Sequence, residues 1–399
     1  MAKTVLILGN GFDLAHKLPT SYIDFLNFCY VAKAICGTNI DFATAIKRKT
    51  MNEVMREKLI NIYNTHYNNY GYKEQNDENE YLEIEKIYQC TNNNIWYNYL
   101  CEVCNNDEAV GKNWIDFESE ISFIIQSIDK SSINLYDDNF DFLNPNNYEN
   151  DIFINKIQMF EVTLKHLNYK IVNLIKLRKD LYDDLKNLTK ALEIYLYNFV
   201  EKIEVNDKIN VIEEIKPDYI INFNYTHTYQ TIYGGDIELF HVHGEVNKDP
   251  NNMVLGIDEY WTAEKRDTHT NFTIFKKFAQ RIQKRTGNKH FEIANELAKH
   301  NELIGSIHCD NVYIYIFGHS LDVTDRDILK MFLSDDFFNV TIFCKDEETE
   351  GEYIANIIKI IGEEQLIKRV NQDSPKFKFE ILPKAINEEE VSANYQTQI

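Results

Sequence analysis

The sequence predicts an α/β protein in which a mostly parallel sheet is interrupted by a large α-helical insertion. Three observations carry this reading. The chain has 399 residues but only 14 Gly and 6 Pro, against about 7% and 5% in average proteins. A sandwich or barrel, with a turn roughly every 8–12 residues, needs more punctuation than that. The glycines are also unevenly spread, because between Gly37 and Gly234 only Gly71 and Gly111 occur. Finally, short apolar runs rich in β-branched and aromatic residues stand at the start of the chain and again beyond Asp218. Such runs are what strands buried on both faces of a parallel sheet look like.

Taken in order, the first run is Thr4–Leu8, followed by Gly9-Asn10-Gly11 and a helical stretch closed by Gly37. The stretches near Asn61–Asn79 and Ser131–Asp151 are rich in Asn, Asp and Tyr, poor in aliphatics, and read as loops. Phe160, Leu164, Leu167, Ile171, Leu174, then Leu181, Leu185, Leu188, Leu192, Tyr195 and Phe199 follow a 4-3-4-3 spacing. With no Gly or Pro between Pro145 and Pro217, this is one long amphipathic helix or two in line. Its apolar stripe either packs on other helices of the same lobe or forms a dimerising coiled coil. Further strands are expected at Tyr219–Phe223, Leu239–Val242, Met253–Leu255, Val312–Phe317, Val340–Phe343 and Phe377–Leu382. Residues 1–40 and 210–399 thus form one α/β domain, and residues 41–209 a helical insertion lobe.

Composition excludes several function classes. Lys and Arg number 42 against 63 Asp and Glu, a net charge of −21. That argues against stable nucleic-acid binding, which relies on cationic neutralisation of phosphates. No run of about 18 apolar residues offers a membrane span, and the N-terminal run ends in a Gly motif rather than a signal-peptidase site. Seven cysteines, with one CxxC at Cys101 and Cys104, support neither a disulfide framework nor a zinc ribbon. A reducing cytoplasm fits this pattern.

Four motifs place polar chemistry at strand ends. In Val5–Leu26 a strand runs into Gly9 and Gly11, the kind of turn that lets a phosphate approach backbone N–H groups. Leu14 stands where the dinucleotide fingerprint has its third glycine, so a simple tight turn is the competing reading. Thr20 or Ser21 is placed to cap the next helix. In Tyr219–Tyr229 a strand ends in Asn222, Asn224, Tyr225, Thr226 and His227. In Leu239–Val246, His241 and His243 are two apart on a strand and so face one side. An HxH pair is a metal motif, but no third ligand stands at convincing spacing, and a metal is not expected. His243, before Gly244, suits a general base. In Val312–Leu329 a strand runs into Gly318, His319 and Ser320, with Asp322 and Asp325 opening the next helix. Asp325 has an N-cap as its plain alternative role.

The set GNGFDLAHKLPTSYIDFL, NFNYTHTY, HVHGEV and FGHSLDVTD, with the NWIDFESEI stretch around Trp114, Asp116 and Glu118, resembles the bacteriophage abortive-infection AbiH family. More distantly it is similar to sirtuin-like domains, a Rossmann-like fold that binds NAD. The resemblance implies a phage-defence protein, most concretely one that cleaves NAD at the nicotinamide–ribose bond and is held inactive until infection. It implies His243 as the catalytic residue and Asn224 as the group positioning ribose or a water. Gly9 and Gly11 line the phosphate loop, and Gly318 and Ser320 hold the distal phosphates or ribose. Asn10, Phe12, Asp13, Thr20, Ser21, Tyr225, His319 and Asp325 complete the cofactor-binding set.

Two departures shape the expectation. The paired CxxC module of sirtuin deacylases is missing, which favours hydrolysis over deacylation, and Thr226 stands where Asp is common. The expected partners are a nucleotide ligand, a phage-derived trigger, and a second copy joined through the helical lobe. The alternative is a non-enzymatic module that senses a nucleotide or phage component and signals through that lobe. The resemblance leaves the roles of Trp114, Asp116, Glu118 and the Cys101/Cys104 pair open.

Overall fold

The computed structural model describes residues 2–38, 40–68, 75–109, 115–132, 151–171, 173–260, 270–303 and 312–383. The chain begins with β1 (Lys3–Leu8), α1 (Asn10–Ala15) and α2 (Tyr22–Ile35). There follow α3 (Phe42–Arg48), α4 (Glu53–Asn68), α5 (Gln75–Thr91), α6 (Ile95–Ala109), α7 (Phe117–Ser132), α8 (Asp151–His166) and α9 (Leu174–Tyr195). A π-turn, Leu196–Val200, and α10 (Asn210–Glu214) lead into β2 (Tyr219–Asn222), α11 (Thr228–Tyr233) and β3 (Glu238–His241). The remainder is α12 (Lys277–Lys284), α13 (Lys289–Leu303), β4 (Val312–Phe317), α14 (Arg326–Leu333), β5 (Phe338–Cys344), α15 (Glu347–Ile361), α16 (Glu363–Asn371) and β6 (Phe377–Ile381).

The six strands form one sheet in the order β3-β2-β1-β4-β5-β6, and every neighbouring pair is parallel. This is a Rossmann-like, doubly wound order, with its topological switch point between β1 and β4. Strand alternation explains why the runs are apolar throughout. Val5 and Ile7 join Ile314, Val340 and the buried residues of α13, α14, α15 and α16 on one face. Leu6 and Leu8 join Phe12, Ile212, Ile220 and Tyr229 on the other. Both faces are covered, so neither register of a strand has a polar option. Arg369, fully buried on α16, donates to the carbonyls of Leu333 and Phe338 and lies over the Phe377 ring, which fixes β5 and β6 beneath their helices.

The helices between β1 and β2 share a third apolar cluster. It takes in Phe25 and Phe28 of α2, Trp96 and Tyr99 of α6, Phe160 of α8 and Leu181, Leu185 and Leu188 of α9. Most of the 4-3-4-3 stripe therefore packs on other helices of its own chain, with Leu167, Ile171 and Leu174 partly buried at its middle. The stripe also breaks: residues 167–173 separate α8 from α9. Asn168 takes φ +50, the left-handed turn that ends α8, and the Asn173 side chain accepts from the Lys176 N–H at 2.9 Å to start α9. Asparagine can do both jobs, which is why the absence of Gly and Pro did not guarantee an unbroken helix.

Two other expectations are corrected. Asn61–Asn68 belongs to α4 rather than a loop, with Ile62 buried on its inner face. The rest of Asn61–Asn79 falls partly in α5 and partly outside the described residues, as does most of Ser131–Asp151. Met253–Leu255 is not a strand: it is irregular backbone packed against the helices. Its polar groups are met by other partners, since Val254 N–H donates to His243 O, and Tyr225 Oη and Gln280 Nε2 donate to the carbonyls of Val254 and Leu255. Burial makes the segment apolar without any ladder hydrogen bonding. Among the described residues, no helix is long and apolar enough to cross a membrane.

Candidate active site: a buried His–Asp–Lys cluster at the carboxyl ends of the strands

Loops leaving the carboxyl ends of β1, β2, β3 and β4 meet where an open parallel sheet presents its ligand crevice. The first contact is glycine on glycine. Gly11 N–H donates to Gly318 O at 2.7 Å, Gly9 N–H to Phe317 O at 3.1 Å, and Phe12 N–H to Gly9 O at 2.9 Å. Gly318 has φ +69, and a Cβ there would lie 2.3 Å from Phe12 N. The Asn224 side chain donates to Gly9 O at 3.0 Å and ties the end of β2 to the same loop. Of the predicted phosphate-loop residues, Asn10 is exposed, while Phe12 is buried against Phe317 and His16. Ser21 accepts from Asp24 N–H and caps α2, the structural role anticipated for Thr20 or Ser21; Thr20 Oγ1 is buried without a hydrogen-bond partner.

Beyond these loops lies an ionic cluster with almost no solvent contact. His243 Nε2 is 2.8 Å from Asp325 Oδ1, and Lys277 Nζ is 2.9 Å from the same oxygen. Lys277 Nζ is also 2.7 Å from Glu118 Oε2 and 3.3 Å from Thr324 Oγ1. His319 Nε2 faces Asp325 Oδ2 at 3.7 Å, and its Nδ1 accepts from Leu321 N–H at 2.9 Å. The relative exposures of His243, Asp325 and Lys277 are 4%, 7% and 3%, so charge here is stabilised by partners and not by water.

Burial disfavours charge on Lys277, but Asp325 and Glu118 outweigh it and hold the ammonium well above its usual pKa. Burial likewise opposes the Asp325 carboxylate, and Lys277 and His243 overcome it and hold the acid well below its usual range. Glu118 goes the other way: burial, together with Asp325 and Asp116, raises it to about 8 despite Lys277. Burial lowers His243, aided by Lys277 and opposed by Asp325. At neutral pH the imidazole is therefore uncharged. Its Nε2–H donates to Asp325, and its Nδ1 lone pair is buried with no hydrogen-bond partner. A neutral imidazole oriented by a carboxylate, with the opposite nitrogen free, is the makeup of a general base.

The plain alternative for Asp325 fails. The cap of the short turn before α14 is Asp322, which accepts from Thr324 N–H at 2.9 Å, whereas Asp325 makes no cap bond. Nothing in the sequence marks Lys277, a lysine in a lysine-rich helix start, or gives Glu118 a role. Trp114 lies outside the described residues. Tyr225 and Ser320 are not among the side chains that bond within this cluster: Tyr225 donates to Val254 O at 2.6 Å, and Ser320 is exposed.

His241 and His243 do not share a side, which corrects the HxH reading. β3 ends at His241, so strand alternation does not reach His243. His241 Nδ1 instead contacts Asn224 O at 2.9 Å, and its Nε2 lies 3.1 Å from Gln230 Nε2 and 3.9 Å from Glu245 Oε2. His227 completes this second group, with Nδ1 3.0 Å from Glu201 Oε1 and Nε2 2.8 Å from Glu245 Oε2. The two neighbouring histidines thus serve two different clusters.

Asp13 is 1% exposed and accepts from Thr226 Oγ1 at 2.5 Å, with its other oxygen buried and unpartnered. Burial raises it from 3.8 to about 6, against the lowering effect of Thr226 and Thr228. A folded-state pKa above the unfolded one means stability is fully present at low pH and lost as pH rises through 6. Relative to Asp13→Asn, the wild type should therefore lose about 2–3 kcal/mol of stability between pH 4 and pH 7. Urea unfolding of both proteins across that range checks this; a constant difference would contradict it.

The surface hollow bounded by Val54, Glu57, Lys58, Asn61, Ile62 and Glu80 lies on α4 and α5 and shares no residue with either cluster. A family model described as bacteriophage abortive infection AbiH matches residues 5–344, a span that contains most of β1, all of β2 to β5 and every residue of both clusters. No curated protein and no solved structure matches the chain.

Proposed function

The chain belongs to the bacteriophage abortive infection AbiH family, and from that premise we propose that it is a nucleotide-dependent defence enzyme that cleaves NAD at the nicotinamide–ribose bond. The observation that carries the reading is His243: a neutral, buried imidazole held through Nε2–H by Asp325, with an unpartnered Nδ1, at the carboxyl end of a Rossmann-like sheet. The sirtuin-like likeness, with a helical lobe inserted between β1 and β2, belongs to the same proposal.

The chemistry follows from the residues. Breaking a glycosidic bond passes through an oxocarbenium-like transition state. His243 Nδ1 takes a proton from a ribose hydroxyl or from the attacking water, and Asp325 stabilises the imidazolium that forms. Lys277 keeps Asp325 ionised throughout. Asn224, one donor and one acceptor on a planar amide, positions the water or ribose. Gly9, Gly11, Gly318 and Ser320 frame the crevice where the pyrophosphate lies.

Two features support an enzyme held inactive until infection. The dyad is buried, and the N–H groups of Gly9, Gly11 and Phe12 already donate within the protein. Substrate binding on that loop requires the Gly11–Gly318 contact to part, which is where a phage-derived trigger would act.

Purified protein with NAD and a phage-infected lysate should release nicotinamide, and His243→Ala should lower the rate about 10²–10⁴-fold, the range of a lost general base. Asn224→Ala should lower it as well, with circular dichroism verifying both folds. No turnover under these conditions, with plaque protection surviving both substitutions, would establish the non-enzymatic sensing module instead.

A further inference from the structure

We propose that His227, His241 and Glu245 form a binding site for a divalent transition-metal ion of the zinc class, separate from the His243 cluster. The three come from different places: His227 precedes α11, His241 ends β3, and Glu245 follows the turn at Gly244. Sequence spacing pairs His241 with His243, whereas the fold gives His241 two other candidate ligands, His227 and Glu245. The donor atoms, one from each residue, all lie within 4.8 Å of one another.

Tautomers follow from the partners. A carbonyl oxygen can only accept, so His241 Nδ1, 2.9 Å from Asn224 O, carries the proton and Nε2 keeps the lone pair. Gln230 Nε2, 3.1 Å away, donates to that lone pair and would give way to an ion. On His227, Nδ1 faces the Glu201 carboxylate at 3.0 Å, and Glu201 is held in turn by the His227 backbone N–H at 2.7 Å. Each imidazole thus has its far nitrogen tied to a fixed acceptor, the outer-shell support that metal-ligating histidines carry.

The near side is the telling one. With Nδ1 protonated, His227 Nε2 presents a lone pair to Glu245 Oε2 at 2.8 Å. Two acceptors that close require a cation between them, either a proton or a metal ion. A proton satisfies only that pair. A metal ion also takes His241 Nε2, 3.9 Å from the same oxygen. Zinc bonds of about 2.0–2.2 Å place tetrahedral donors about 3.3 Å apart, between the 2.8 and 3.9 Å that separate Glu245 Oε2 from the two imidazole nitrogens. Two histidines and one carboxylate leave a fourth position for water. Glu245 Oε1 is steadied by Lys248 at 3.1 Å, so Oε2 is the oxygen left for the ion.

The test is direct and does not use NAD, so it stands or falls apart from the proposed activity. Full-length protein is dialysed against a chelator and titrated with Zn²⁺ by calorimetry. Binding of one ion per chain is expected, weakened roughly 100-fold or more by His241→Ala and by Glu245→Gln, since even outer-shell changes cost 10–100-fold. His166→Ala, on α8 and outside the cluster, should bind as the wild type does. Co²⁺ should give visible d–d bands in the wild type that both ligand variants lose while their circular dichroism is unchanged. No stoichiometric binding by the wild type, or equal binding by folded Glu245→Gln, overturns the proposal and leaves a proton between His227 and Glu245.

Discussion

Lys277→Met should cost the fold about 3–5 kcal/mol, because it strands a buried carboxylate without its cation. Lys277 is 3% exposed and bonds Asp325 and Glu118 at 2.9 and 2.7 Å. Methionine matches the stem of the side chain, so packing is largely kept and the electrostatic loss is isolated. Urea unfolding measures it, and a loss below about 1 kcal/mol would show that Asp325 finds another partner. The double variant Lys277→Met/Asp325→Asn makes the argument specific. Removing both charges removes the uncompensated ion, so its cost should be well below the sum of the two single variants, by about 1–3 kcal/mol. Additive costs would mean that the two groups do not interact. The same logic says why the cluster is a candidate site: three elements from distant parts of the sequence are held together by charges that are costly to bury.

The second large effect is at the glycine crossing. Gly318→Ala should destabilise by about 2–5 kcal/mol, combining a left-handed backbone with overpacking. The φ is +69, and the new Cβ would lie 2.3 Å from Phe12 N and 2.5 Å from Gly11 C, backbone atoms that cannot swing aside. Gly351 gives the opposite sign. It sits inside α15 with nothing within 4 Å of its Cβ position, so Gly351→Ala should gain about 0.5–1 kcal/mol. Thermal unfolding of the pair reads both at once. A Gly318→Ala protein as stable as wild type would mean that the β1 and β4 loops separate easily, and the closed crevice would then need no trigger to open.

The glycine map read from sequence holds at the strand ends, for a local reason. Gly9, Gly11 and Gly318 stand directly after strands whose apolar runs are unmistakable, and a turn at that place has few residue choices. Six of the seven expected strands exist, because burial on both faces leaves a contiguous apolar signature. The seventh, Met253–Leu255, shows the limit of that signature: burial against helices writes the same letters as burial in a sheet. The choice between one long helix and two was left open for a related reason, since Asn168 and Asn173 end and start helices without the Gly or Pro that a reader looks for.

By itself the sequence determined the α/β class, the polar residues clustered at strand ends, and the AbiH resemblance that the family match bears out. Each of these is read from short local runs and motifs, taken together along the chain. Only the tertiary structure decided which of those residues meet. It joined His243 to Asp325, 82 positions away, and Lys277 to Glu118 of α7; it sent His241 to His227 and Glu245 instead. Contacts of that separation leave no periodicity in a single chain. They exist because parallel strands must return through long crossovers, which bring the carboxyl ends of strands distant in sequence to one edge of the sheet.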